Sequence, residues 1–153
     1  MTMKDDEKPF EVTLNINLFE NVIEVYKGNK YANIDYSSIE QIMLEDSTSI
    51  IYVNRQLIVI PYVGKKYKLS NTAEVNIETK TLRPPGQIIE QQRFVKRDAY
   101  ILSVNDEAHE IDLNKKSLQK VLGKDAIKLA KKNKIKLKSE QGVAELLRML
   151  EEG

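Results

Sequence analysis

Cysteine and tryptophan are absent from this chain, and histidine occurs once. Without a thiol there is no disulfide, no thiolate nucleophile and no cysteine-ligated metal. With His109 as the lone imidazole, the common zinc patterns have no second histidine to draw on. Glycine is sparse as well. No two of the six lie within ten residues of each other, so no glycine-rich loop exists to cradle a phosphate. No G-x-S-x-G elbow presents a serine nucleophile. The longest apolar stretch, Leu57 to Gly64, is broken by Pro61 and is far too short to span a bilayer as a helix. These absences remove most recognisable catalytic and cofactor sets: the reading is of a non-enzyme, with no catalytic residue, no metal ligand set and no cofactor.

At 153 residues the chain is long enough for one domain with a core of its own. Its charged (31%) and hydrophobic (41%) fractions are ordinary for a soluble protein. Residues 1–9, with Lys4, Asp5, Asp6, Glu7 and Lys8, read as a disordered N-terminal segment. Residues 10–112 read as a β-rich body. Phe10 to Leu18 alternates apolar and polar residues, and strands follow over Val22 to Tyr26, Tyr31 to Tyr36, Ile39 to Glu45 and Ser49 to Asn54. Gln56 to Val63, apolar on both faces and rich in β-branched residues, is the expected central strand, with Pro61 marking an edge or a bulge. Further strands are read over Lys65 to Leu69, Ala73 to Thr81, Ile88 to Val95, Ala99 to Val104 and His109 to Leu113, with a loop at Arg83-Pro84-Pro85-Gly86.

Residues 113–153 read as a helical C-terminal cap. Asn114 is the expected N-cap of a helix over Lys115 to Leu122, ended by a left-handed Gly123. A lysine-rich helix over Lys124 to Asn133 and an extended stretch over Lys134 to Lys138 come next. Ser139 then caps a last helix with Val143, Leu146, Leu147 and Leu150 at i, i+3, i+4, i+7. A helix of that length is marginal alone in water, so this seam requires the body to pack on. Strands first and helices last give an α+β fold: a mainly antiparallel sheet, or a partly closed barrel, of about eight to ten short strands under the helical cap. A barrel closed by one C-terminal helix is the fold alternative, although the tail has three segments.

Charge is split along the chain. Residues 1–112 hold 13 Lys/Arg and 18 Asp/Glu, net −5; residues 113–153 hold 11 and 5, net +6. This favours docking of cap on body, modestly. Residues 115–138 hold ten lysines and the single acid Asp125, which makes Lys128, Lys131, Lys132 and Lys134 candidates for contact with nucleic acid or an anionic envelope polymer. Against nucleic acid stand the lack of arginine there, the lack of any aromatic residue after Tyr100 and lysines spread around the helix. All ten aromatics lie between Phe10 and Tyr100, and seven are tyrosine. Tyr26, Tyr31 and Tyr62 are candidates to line a surface for a peptide or glycan, set against tyrosines half-buried along sheet rims. Glu107 and His109 share a strand face, where a surface pair weighs more than a metal site.

The run Glu110-Ile-Asp-Leu-Asn-Lys-Lys-Ser-Leu-Gln-Lys-Val-Leu-Gly, the stretch Ile127 to Lys138 and the last helix, Glu140 to Leu150, resemble the C-terminal region of a loose family of uncharacterised exported bacterial proteins. Leu14 to Val25 and Gly64-Lys-Lys-Tyr-Lys-Leu resemble that family's β-rich body. The resemblance implies export across the inner membrane and brings no activity with it. The start of this chain shows no apolar signal core, so the expectation is either a cytosolic protein or one that begins after a removed signal, and the resemblance favours the second. The functional expectation is an exported, non-enzymatic interaction or structural module whose partner is a protein or envelope component.

Overall fold

The structure is a computed structural model; it describes residues 1–3, 11–17, 20, 22–53, 56–82, 85–86 and 88–153. Its strands are β1 (Thr2–Met3), β2 (Thr13–Asn17), β3 (Val22–Lys27), β4 (Lys30–Asp35), β5 (Ile39–Met43), β6 (Ser49–Val53), β7 (Gln56–Val63), β8 (Tyr67–Leu82), β9 (Ile89–Val104) and β10 (Glu107–Ile111). Two helices, α1 (Lys115–Lys132) and α2 (Glu140–Glu152), close the chain. The α+β reading holds. The sheet is not a barrel: seven strands lie in the open order β1-β5-β6-β7-β8-β9-β10, every pair antiparallel, and β2-β3-β4 form a second sheet. Of the segment expected to be disordered, Thr2–Met3 pairs with Gln41 and Ile39, and Met1 is buried in the core. Residues 4–10 lie outside the described residues.

Strand β7 stands fourth of seven, the central place expected of it. The ladder to β8 slips register between Val59 and Tyr62, across Pro61, which has no amide hydrogen for the ladder. Because of that bulge, Val59 and Tyr62 both face the side occupied by Asn71 and Leu69. One rung defines this side: Ile42, Ile50, Val59, Asn71, Tyr100 and Ile111 stand directly opposite one another from β5 to β10. Two covers share it. Over β5–β7 the small sheet contributes Ile23 and Val25 to a core with Tyr36, Ile39, Ile42, Ile50 and Leu57. Over β7–β10 the helices contribute Leu118, Ile127, Val143 and Leu147 to a core with Tyr67, Leu69, Leu102 and Ile111.

The body has fewer and longer strands than its periodicity suggests. Ser70-Asn71-Thr72 and Lys96-Arg97-Asp98 read as interruptions, yet they lie inside β8 and β9, sixteen residues each and paired from Tyr67↔Val104 to Leu82↔Ile89. Ionic and amide partners make these polar positions compatible with a strand. Lys96 pairs with Asp98 at 3.0 Å and Arg97 with Glu78 at 2.8 Å, and the buried Asn71 donates to Asp98 at 3.1 Å.

In the tail, Asn114 Oδ1 accepts from the Ser117 amide at 2.9 Å and Ser139 Oγ from the Gly142 amide at 3.2 Å, as expected of N-caps. Gly123 (φ 87°, ψ 173°) is non-helical and divides α1 into two helical segments, as expected of it; only glycine takes such a conformation without strain. The extended reading of 134–138 is corrected. Lys134 adopts φ 57°, its amide bonds Lys131 O at 3.2 Å, and the Ile135 amide bonds Ala130 O at 2.9 Å. That is a Schellman closure, and the alternation of Ile135 and Leu137 with lysine is the trace of a turn. Val143, Leu146 and Leu147 of α2 are fully buried. Leu146→Ala is expected to lower unfolding stability by about 2–5 kcal/mol in denaturant titration; a loss under about 1 kcal/mol would mean the seam is not docked.

Candidate functional site

His109 Nε2 lies 3.9 Å from Glu107 Oε1, so the two share a face as expected. Among the described residues no group of three or more His, Asp or Glu side chains converges.

The most elaborate polar arrangement anchors the last helix. The Glu151 carboxylate accepts from three successive amides of the β7–β8 turn, Lys65 at 3.1 Å, Lys66 at 2.7 Å and Tyr67 at 3.0 Å, and from the Tyr62 hydroxyl at 3.0 Å. Successive amides in a turn form an anion-binding nest, here filled by the protein's own acid. The Lys66 amide is the largest cause that holds the Glu151 pKa below the usual glutamate range, helped by Tyr67, Tyr62 and Lys65. A Cβ at Gly64 would collide with that carboxylate, which explains a glycine in an otherwise unremarkable turn. At the other end of α2, Glu140 accepts from Asn71 Nδ2 at 2.8 Å and from the Tyr100 hydroxyl at 3.1 Å. Burial first, then Glu140 and Asp98, raise the Tyr100 pKa. Asn71 turns its amide nitrogen to both acids, and its buried Oδ1 has no protein partner.

Tyr62 is thus an anchor partner, and the structure separates it from Tyr26 and Tyr31. Those two face each other across β3 and β4 with ring centroids 5.4 Å apart and planes at 49°. They are 40% and 56% exposed. The registers put Thr13, Asn15 and Asn17, Val22 and Glu24, and Asn33 and Asp35 on the same outward face. Asn15 Nδ2 (2.8 Å) and the Tyr26 hydroxyl (3.2 Å) both donate to Glu24 Oε2.

Lys128, Lys131, Lys132 and Lys134 are all exposed. The kink at Gly123 makes the second half of α1 its own cylinder, on which Lys124, Lys128, Lys131 and Lys132 fall within about 100° of one another. This corrects the picture of lysines spread around the helix. One of them, Lys128, is bonded to Asp125 at 2.8 Å.

A surface that sequence reading did not single out is the far half of the β8–β9 hairpin. Pairing of β8 with β7 ends at Thr72, and pairing of β9 with β10 ends at Tyr100. From Ala73 to Leu82 and from Ile89 to Asp98 these strands pair with each other as a two-stranded ribbon about 33 Å long. One face carries Glu78 bonded to Arg93 (3.1 Å) and Arg97 (2.8 Å). The other continues the core side of the sheet past Asn71 and Tyr100: the Lys96–Asp98 pair comes first, beside Ala73 and Val75, then Ile77 and Phe94, then Thr79 and Gln92. Ile77 and Phe94 are direct cross-strand partners, 46% and 66% exposed. The available signal is the alternation of Val75 and Ile77 with Asn76 and Glu78, which marks a strand and not what covers it.

Compared with models of protein families, with curated proteins and with solved structures, the chain matches none.

The Glu151 anchor sets a pH dependence. Its folded pKa is depressed, so its contribution is complete above the ordinary glutamate value of about 4.3 and is lost as pH falls through the folded value. Glu151→Gln is therefore expected to be less stable than wild type at pH 7, with the difference shrinking below about pH 4.3. A thermal-melt series from pH 7 to pH 3 measures it, and a constant difference would refute the anchor.

Proposed function

We propose that this protein is a non-enzymatic interaction module of the bacterial cell envelope, and that it grips a protein partner with the β8–β9 ribbon. One observation carries the reading: the core-side face of the sheet runs beyond its helical cover and, past the Lys96–Asp98 pair, presents the exposed cross-strand pair Ile77–Phe94 beside Val75. A two-stranded ribbon is marginal by itself in water. A partner on its apolar face supplies the burial that α2 supplies to the rest of the sheet, and aromatic residues with aliphatic neighbours form the centre of many protein contacts. The internally bonded Arg93 and Arg97 leave less charge on the opposite face for a polyanion. The envelope location rests on the resemblance of the C-terminal region to exported bacterial proteins, and a non-enzymatic role on the sparse catalytic inventory.

The test is a photo-crosslinking side chain at position 77, compared with one at Asn76 on the opposite face, in the native cell. Adducts of defined mass from 77 and none from 76 are expected. The double variant Ile77→Ser/Phe94→Ser should abolish capture through a reporter at Val75 while its thermal midpoint stays near that of wild type. Equal adducts from both faces, or none, would sink the reading.

The lysine stripe on α1 favours a second reading, attraction to an anionic polymer. It requires that retention on a heparin column fall steeply with salt and be largely lost in Lys128→Glu/Lys131→Glu/Lys132→Glu; retention unchanged in that variant would dispose of it.

A further inference from the structure

We propose that the outward face of the three-stranded sheet β2-β3-β4 binds a single, uncharged polysaccharide chain, seated across Tyr26 and Tyr31. The inference does not depend on the ribbon, which belongs to the other sheet.

The chemistry of the face selects the ligand. Two half-exposed tyrosine rings sit side by side in a surround of short polar residues: Thr13, Asn15, Asn17, Glu24, Asn33 and Asp35. A pyranose ring offers an apolar face of C–H groups, which packs on an aromatic ring, and a rim of hydroxyls that both donate and accept. Tyrosine answers the first with its ring and the second with its hydroxyl. Asparagine amides and a carboxylate, as planar groups with paired hydrogen-bonding atoms, answer the second. Glu24 is already aligned by Asn15 and by Tyr26, so part of the polar rim is held in place before a ligand arrives.

Other ligand classes fit less well. The formal charges on this face are the acids Glu24 and Asp35, a negative surface that repels phosphate and uronate polymers. Among the described residues, Val22 is the one apolar residue on it apart from the tyrosines, so there is little desolvated centre for a protein contact. Ring geometry narrows the choice further. Planes inclined at 49° cannot both lie flat on a crystalline polymer surface. They suit one chain whose successive sugars rotate about its axis, and the 5.4 Å between centroids is close to the length of one sugar unit. Tyr26 also lines an open cleft of about 990 Å³ of mixed character, with Glu11, Thr13 and Glu45 beside Val12, Leu14 and Met43, so that the ring pair stands next to a concave surface.

Electrophoresis of the full chain in native gels cast with hydroxyethylcellulose, a soluble β-1,3-glucan or amylopectin tests this, beside sedimentation with microcrystalline cellulose. Retardation in at least one gel is expected, with no co-sedimentation on the crystalline polymer. Tyr26→Ala/Tyr31→Ala should weaken retardation roughly thirtyfold, about fivefold for each stacked ring at on the order of 1 kcal/mol. Tyr26→Phe/Tyr31→Phe should retain most of it. Ile77→Ser/Phe94→Ser should leave it unchanged, so that failure of the ribbon reading and failure of this one are told apart. If the double alanine variant does not fold, Tyr31→Ala alone, on the more exposed ring, gives the same comparison. No retardation in any gel, equal retardation of the alanine variant, binding to crystalline cellulose alone, or a protein ligand lost with the two tyrosines would each overturn the proposal.

Discussion

Two carboxylates eleven residues apart hold the last helix to the sheet, and the arrangement of everything after the body follows from them. Eleven residues are close to three helical turns, so Glu140 and Glu151 leave α2 on one side, the side of Val143 and Leu147. Glu140 stands in the first turn, where the helix dipole favours an acid. Glu151 stands in the last turn, where the dipole opposes one, and three charge-assisted bonds from the β7–β8 turn offset that disadvantage. Burial of the leucine seam drives the helix onto the sheet without choosing a register, since an apolar stripe can slide. The two acids choose it: a shift of one turn in either direction would place both against the wrong partners.

That register determines how much of the sheet is covered. Glu140 meets Asn71 and Tyr100, and α2 begins there; the core side of β8 and β9 beyond that rung has no helix above it. The small sheet occupies the other end of the same face, over β5 to β7. Two covers of fixed extent on a sheet whose two longest strands overrun them leave a ribbon with Arg93, Arg97 and Glu78 on one side and, on the other, Val75, Ile77 and Phe94 beyond the Lys96–Asp98 pair. The exposed Ile77–Phe94 pair is thus a consequence of where α2 starts as much as of the residues themselves.

Wherever one local period decided the structure, the sequence could be read directly. The caps at Asn114 and Ser139, the left-handed Gly123, the i, i+3, i+4, i+7 seam of α2, the central place of Gln56–Val63 and the bulge at Pro61 all follow from neighbours within a few positions. The failures share a cause. Asn71, Arg97 and Asp98 read as breaks because they have partners on other elements, and a strand prediction cannot see Glu140, Glu78 or the Asn71–Asp98 bond. Ile135 and Leu137 imitate a strand because a Schellman turn and an extended segment share the same short alternation. Tyr26 and Tyr31 were legible as candidates. Their separation from Tyr62 was not, because it depends on a bond between residues 89 positions apart.

The charge split also has a different meaning in the folded chain. An acidic body and a basic tail suggest that lysines of the tail meet acids of the body. The joint is made the other way round, by two acids of the tail meeting amides, a side-chain amide and two tyrosine hydroxyls of the body. Neutral donors in fixed positions suit a half-buried joint better than lysines do, since a long flexible ammonium loses more entropy and more hydration on burial. The lysines are left on the outer side of α1, the acids of the small sheet on its outward face, and the apolar excess on the ribbon. Three surfaces of different chemistry therefore point away from one core, and a ligand suited to one is poorly suited to the other two.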